Sequence, residues 1–247
     1  MRRYGWELYL GAVFIGLSAL FYLIQIFIFR TPRDTFFYLF QDLAFVPIQV
    51  LLVTLIINQL LTVREKRNLL KKLNMVIGVY FAEVGTDLLR LFYRLESNAQ
   101  EIKKELVIGP SWSGKHFSEQ AKVFRNYKYE IRIDPGILQD LKELLLAKRP
   151  FLMTLLENPN LLEHDTFTDL LLAVFHVTDE LAARTSLVDL PRADVIHLKG
   201  DIKRALGFLI SEWLFYLRHL KEDYPYLYSL EIRKNPFDPE ASAVIKD

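Results

Sequence analysis

Two patterns of apolar residues divide this chain. From Leu8 to Phe29 it reads LYLGAVFIGLSALFYLIQIFIF, with no charge and with Gln25 as its only strongly polar residue. At about 1.5 Å per residue such a helix crosses a hydrocarbon core of roughly 30 Å. A helix apolar on every face over this length does not suit the core of a soluble protein. It also exceeds the apolar core of a signal peptide and ends in Ile-Phe-Arg-Thr-Pro, so it reads as an uncleaved span. Residues Phe36 to Leu61 form a second apolar run, interrupted by Gln41, Asp42, Pro47, Gln49, Asn58 and Gln59. The connection Arg30-Thr31-Pro32-Arg33-Asp34 is short, so the two runs predict a transmembrane hairpin over residues 1–62.

Beyond residue 62 the apolar positions recur at three and four instead of filling every face. Leu70, Leu73, Ile77, Tyr80, Val84, Leu88, Leu91 and Leu95 make one helical stripe, free of proline from Val63 to about Val107. No breaker separates Asn58 from Arg67, so span two can continue into this helix, with Gly78 and Gly85 as weak points. A short helix is expected over Phe117–Tyr129. Another follows Asp134-Pro135-Gly136 and ends near Lys148, and Pro150 starts a further short one. Thr166–Arg184 has Leu170, Val174, Val177 and Leu181 on one face. Asp189 is expected to cap a long helix from Pro191 to about Leu220, with Val195, Ile202, Leu206, Leu209, Trp213 and Leu217 inward. No segment alternates like a sheet. The reading is all-α: a two-span hairpin (about 8–29 and 36–61), a helical bundle over 63–234, and an extended or disordered tail over 235–247.

Composition agrees with this division. The 247 residues are 51% hydrophobic and 25% charged, with mean hydropathy +0.15, no cysteine and net charge +1. A disordered chain, a disulfide scaffold and a generally basic nucleic-acid binder are excluded. Arg2 and Arg3 before the hairpin and Arg64, Lys66, Arg67, Lys71 and Lys72 after it outweigh Arg30 and Arg33 in the turn. Both termini should then be cytoplasmic, in a multi-pass protein of the plasma membrane. The cluster from Arg64 to Lys72 suits anionic lipid headgroups, and no nucleic-acid partner is expected.

Polar residues within the spans fall on stripes. Gly11, Ser18 and Gln25 recur every seven positions, with Glu7 just below them. Gln41, Gln49 and Gln59, with Asp42 at the edge, share a face with Phe45, Leu52 and Ile56. Either the two stripes face each other inside one hairpin, or several hairpins assemble and a stripe lines an aqueous path.

Few motifs suggest chemistry. Gly109-Pro110-Ser111-Trp112-Ser113-Gly114-Lys115-His116 matches GxxxxGK, but His116 replaces the magnesium-binding Ser or Thr and no parallel sheet precedes it. It reads as a turn between helices. Three histidines have an acid four residues later: His176 with Glu180, His197 with Asp201, and His219 with Asp223. On a helix both members share a face, as metal sites in helical bundles require, and Glu83 and Asp87 could add carboxylates. The helical wheel, however, turns His176–Glu180 and His197–Asp201 away from the core faces, so they read as solvated pairs, with no metal or cofactor. No nucleophile is paired with a base, so an enzyme is not expected. Tyr224, Tyr226 and Tyr228, near Trp213, Phe215 and Tyr216, either dock a protein or close the bundle. The leading expectation is a self-associating membrane protein, an ion channel or gated assembly with a cytoplasmic helical regulatory domain. The alternatives are a membrane-tethered scaffold or adaptor binding a protein through that domain, and a metal-dependent enzyme at the membrane surface.

Overall fold

The computed structural model describes residues 5–109, 111–162 and 164–244, with the side chains of 5–8, 67, 68 and 162 left out. Arg2, Arg3, Pro110 and residues 245–247, and the side chains of Glu7 and Arg67, therefore lie outside the described residues. The fold is all-α. Among the described residues the only extended pairing is one antiparallel bridge, Glu96–Ile131. The chain divides between Lys66 and Arg67 into two compact units.

The first unit holds α1 (Gly5–Phe29) and the opening part of α2 (Pro32–Tyr80). The turn is tighter than the expected five residues. Arg30 takes a positive φ of 52°, and its N–H donates to Ile26 O at 2.9 Å to close α1. Pro47 lies inside α2. Tyr22 Oη donates to Asp42 Oδ2 at 3.3 Å, linking the two helices.

In the second unit α2 is followed by a π turn over Phe81–Gly85, where Thr86 Oγ1 donates to Phe81 O at 2.8 Å. Then come α3 (Thr86–Leu95), α4 (Ala99–Glu105), α5 (Gly114–Arg125), α6 (Pro135–Leu156), α7 (Pro159–Leu162), α8 (Asp165–Ala183), α9 (Arg192–Asp223) and α10 (Pro225–Arg233). The π turn rotates the helical face by inserting a residue. Leu73, Ile77, Tyr80, Val84, Leu88 and Leu95 of the stripe are therefore buried and are joined by Phe81, Leu89 and Phe92, while Leu91 is half-buried and Leu70 exposed.

Three local expectations are corrected. Pro150 does not start a helix but sits inside α6. Leu145, Leu152 and Leu155 are buried on both sides of it, and their burial outweighs the roughly 3 kcal/mol cost of an interior proline. Asp189 does not cap α9. It adopts φ 53° in the preceding turn, and Pro191 occupies the cap position. The tail from Asn235 is not helical, but Asn235 and Phe237 are buried in the core.

The core is organised by α9, which packs against α5, α8, α10 and α3. Every residue from Leu209 to Leu214 is buried, which no single helix face can achieve. Close approach to α5 depends on Gly207, where a Cβ would stand 3.1 Å from the carbonyl oxygen of Arg125. Aromatic rings fill the centre: Phe81 stacks on Tyr216 with centroids 5.3 Å apart, and Trp213 meets Phe237 edge-on at 5.2 Å.

Candidate functional site

In the first unit, Gly11, Ser18, Gln41, Asp42, Gln49 and Gln59 are exposed and Gln25 is half-buried. Tyr22, which shares the inner side with Gln25, supplies the hydrogen bond to Asp42. Of the basic residues between positions 64 and 72, Arg64, Lys66 and Lys72 are exposed. Lys71 instead pairs with Asp223 at 3.3 Å.

The GxxxxGK segment forms a helix start. Ser113 caps α5 by accepting from His116 N–H at 3.2 Å, and Trp112 is buried against His116 and Phe117. The Lys115 side chain is 85% exposed and faces Glu119 along its own helix at 3.7 Å. Glu83 pairs with Lys148 at 3.0 Å and Asp87 with Arg90 at 2.7 Å, so neither joins a histidine. Of the C-terminal aromatics, Trp213, Tyr216 and Tyr228 close the bundle, whereas Tyr226 is exposed.

The acid–histidine pairs behave differently from the wheel's expectation. α8 and α9 pack side by side and bring His176–Glu180 against His197–Asp201. Asp201 Oδ2 lies 3.3 Å from His176 Nε2 and 3.2 Å from His197 Nε2. Glu180 Oε1 lies 3.4 Å from His197 Nε2 and 3.9 Å from His176 Nε2. All four ligand atoms fall within 4.8 Å of one another. Asp201 is only 4% exposed, which corrects its placement on a solvated face. A wheel identifies one inward face, and α9 has partners on several.

The other oxygen of each carboxylate is held by an arginine. Arg184 Nη1 donates to Glu180 Oε2 at 2.8 Å, and Arg204 Nη1 to Asp201 Oδ1 at 3.3 Å. Arg184 also grips Asp194 through two nitrogens and bonds the backbone oxygen of Glu180. This guanidinium holds the carboxyls of Glu180 and Asp194 below the usual carboxylate range. Lys142 Nζ donates to Arg184 O at 2.7 Å, tying the α8–α9 turn to α6.

The third pair does not join them. His219 Nδ1 meets Asp223 Oδ2 at 3.0 Å and lines a separate cavity of about 470 Å³ with Lys71, His164, Thr166, Glu212 and Arg218. His219 is buried, and desolvation lowers its pKa. Glu212, which the helical pattern passes over, is the unusual group here. It is 2% exposed, and among the described residues its Oε2 has no hydrogen-bond partner. Burial pushes its carboxyl up, with His164 opposing first. The only signal in the sequence is a charge set between Ser211 and Trp213 on a helix otherwise apolar there. A protonatable carboxyl in a cavity is a feature of functional sites.

Comparison with known proteins follows the same division. Residues 2–61 match the family model described as MJ1433, N-terminal helical domain, and residues 69–233 match that of Uncharacterized protein MJ1433, C-terminal helical domain. The chain is 47% identical over 246 residues to the protein of that description from Methanocaldococcus jannaschii, covering 100% of this chain and 98% of the relative. No solved structure matches.

Proposed function

We propose that this chain, which belongs to the MJ1433 family, is an integral membrane protein that self-associates through its hairpin. In this reading the helical domain lies on the cytoplasmic side as a regulatory domain of a gated assembly. One observation carries it. No residue of Tyr9–Phe29 or of 36–61 is buried, although both runs are predominantly apolar. Phe27, for example, is 84% exposed. Each such side chain left in water costs about 1.5–3 kcal/mol relative to burial, and contiguous patches of this size mark membrane or protein contact. Lipid covers the apolar faces. Gln41, Gln49 and Gln59, also exposed, are covered by a second copy or by water inside an assembly.

The test uses the full chain with single cysteines at Thr31 and at Ser242. The reading expects labelling from opposite sides of the membrane and a detergent-extracted particle with the mass of more than one chain. Labelling of both from the same side overturns the hairpin. A monomer that leaves liposomes tight to ions overturns the gated assembly, and a tethered adaptor then takes its place. Tyr226, 72% exposed on α10, favours that second reading by offering an aromatic contact to a protein.

A further inference from the structure

We propose that His176 and Glu180 of α8 and His197 and Asp201 of α9 bind a divalent transition-metal ion of the zinc class between the two helices. The proposal uses residues of the second unit alone and is independent of the membrane reading.

The donor set comes first. Two imidazoles and two carboxylates suit a borderline cation such as Zn²⁺, and carry too few oxygens for the six to eight ligands of Ca²⁺. Spacing comes second. Four ligands at about 2.0–2.1 Å from a tetrahedral ion stand roughly 3.3–3.4 Å from one another. The four nitrogen–oxygen separations are 3.2, 3.3, 3.4 and 3.9 Å, and the nitrogen–nitrogen and oxygen–oxygen pairs lie within 4.8 Å. The two longest nitrogen–oxygen separations, 3.4 and 3.9 Å, both involve Glu180, which is the looser ligand.

The third observation separates an ion site from ordinary ion pairs. Asp201 is almost fully buried, and among the described residues its Oδ2 has no hydrogen-bond partner. Both Nε2 atoms are close enough to donate to this oxygen, yet neither is aligned to do so. Leaving a buried carboxylate oxygen unpaired costs about 1–3 kcal/mol or more. An ion shared by the oxygen and both imidazoles removes that cost. The arginines complete the arrangement. Arg184 and Arg204 occupy the second oxygen of each carboxylate, and such outer contacts orient metal ligands. The imidazoles of His176 and His197 are 45% and 52% exposed, so solvent reaches the site and gives an ion its entry path.

The experiment titrates ZnCl₂ into the full-length, chelator-treated chain in detergent, purified without a histidine tag. Calorimetry measures stoichiometry, and Co²⁺ absorption reports the coordination geometry. The expected result is one Zn²⁺ per chain and an intense Co²⁺ spectrum typical of four-coordination. His176→Gln with His197→Gln should weaken Zn²⁺ binding by more than about 100-fold, beyond the 10- to 100-fold lost with an outer-shell partner. Both are surface-accessible changes, so folding is checked by circular dichroism on the same samples. Asp201→Asn should also lose binding, whereas His219→Gln in the separate cavity should keep it. Absence of Zn²⁺ and Co²⁺ binding by the wild-type chain overturns the proposal. So does Zn²⁺ binding that is unchanged in the folded double variant, or binding of Mg²⁺ or Ca²⁺ alone.

Discussion

Asn235 donates its side-chain amide to the carbonyl oxygen of Leu106 at 2.9 Å, across 129 residues of sequence. Its own Oδ1 accepts the N–H of Phe237 at 3.0 Å, so one buried side chain satisfies two backbone groups. It fixes the segment that carries Phe237 into the core against Trp213 and Tyr93. Asn235→Ala leaves Leu106 O and Phe237 N–H without these partners. A loss of about 1–3 kcal/mol is expected, read from chemical unfolding of the full chain in detergent. An unchanged midpoint would show that water replaces the amide.

Gly85 lies in the π turn. A Cβ there would stand 2.6 Å from a ring carbon of Phe81 and 2.8 Å from one of Tyr80. In an exposed helix, glycine to alanine gains about 1 kcal/mol. Here both rings belong to fully buried side chains and must move. Gly85→Ala is expected to destabilise by about 1–3 kcal/mol, the cost of overpacking. A raised melting temperature would mean that the π turn relaxes to an α turn without loss.

Glu212 makes stability depend on pH. Its folded pKa is raised, so above the usual carboxylate range the folded state keeps a proton that the unfolded chain has released. Stability from this group is complete below that range and declines as pH rises through its folded pKa. His219 acts oppositely. Its pKa is lowered, so stability is lost as pH falls through the ordinary histidine range. Glu212→Gln should abolish the first decline and leave the second. The measurement is the melting temperature of both chains from pH 5 to 8. Parallel profiles would show that Glu212 is ionised in the fold and compensated.

Gln49 tests the assembly reading. Gln49→Leu should weaken self-association by about 0.6–2 kcal/mol, the range for one polar contact between membrane helices, while Leu55→Ala should do less. Particle mass and liposome ion leak on the same preparations give the readout. If neither changes, the amide faces neither a neighbouring chain nor an aqueous path.

The pattern of apolar residues was enough to specify the helical class and half of the inward positions of α8. Leu170, Val174, Val177 and Leu181 are all buried, while packing against α6, α7 and α9 also buries Leu171, Ala173 and Thr178 outside that stripe. The GxxxxGK segment was legible as a break before a helix, since capping of α5 by Ser113 is a local interaction. Pro150 inside α6 was not legible in this way, because interior packing on both sides overrode a local preference. The convergence of the four metal-site residues was likewise decided only by the tertiary structure. Each acid–histidine spacing is visible in the sequence, but four-residue spacing states only that two side chains share a face. Which face is enclosed depends on the neighbours of α9, and those come from α3, α5, α8 and α10 together. Asp201 and Glu212 are polar by composition and buried by that surrounding, and no period along a single helix contains the information.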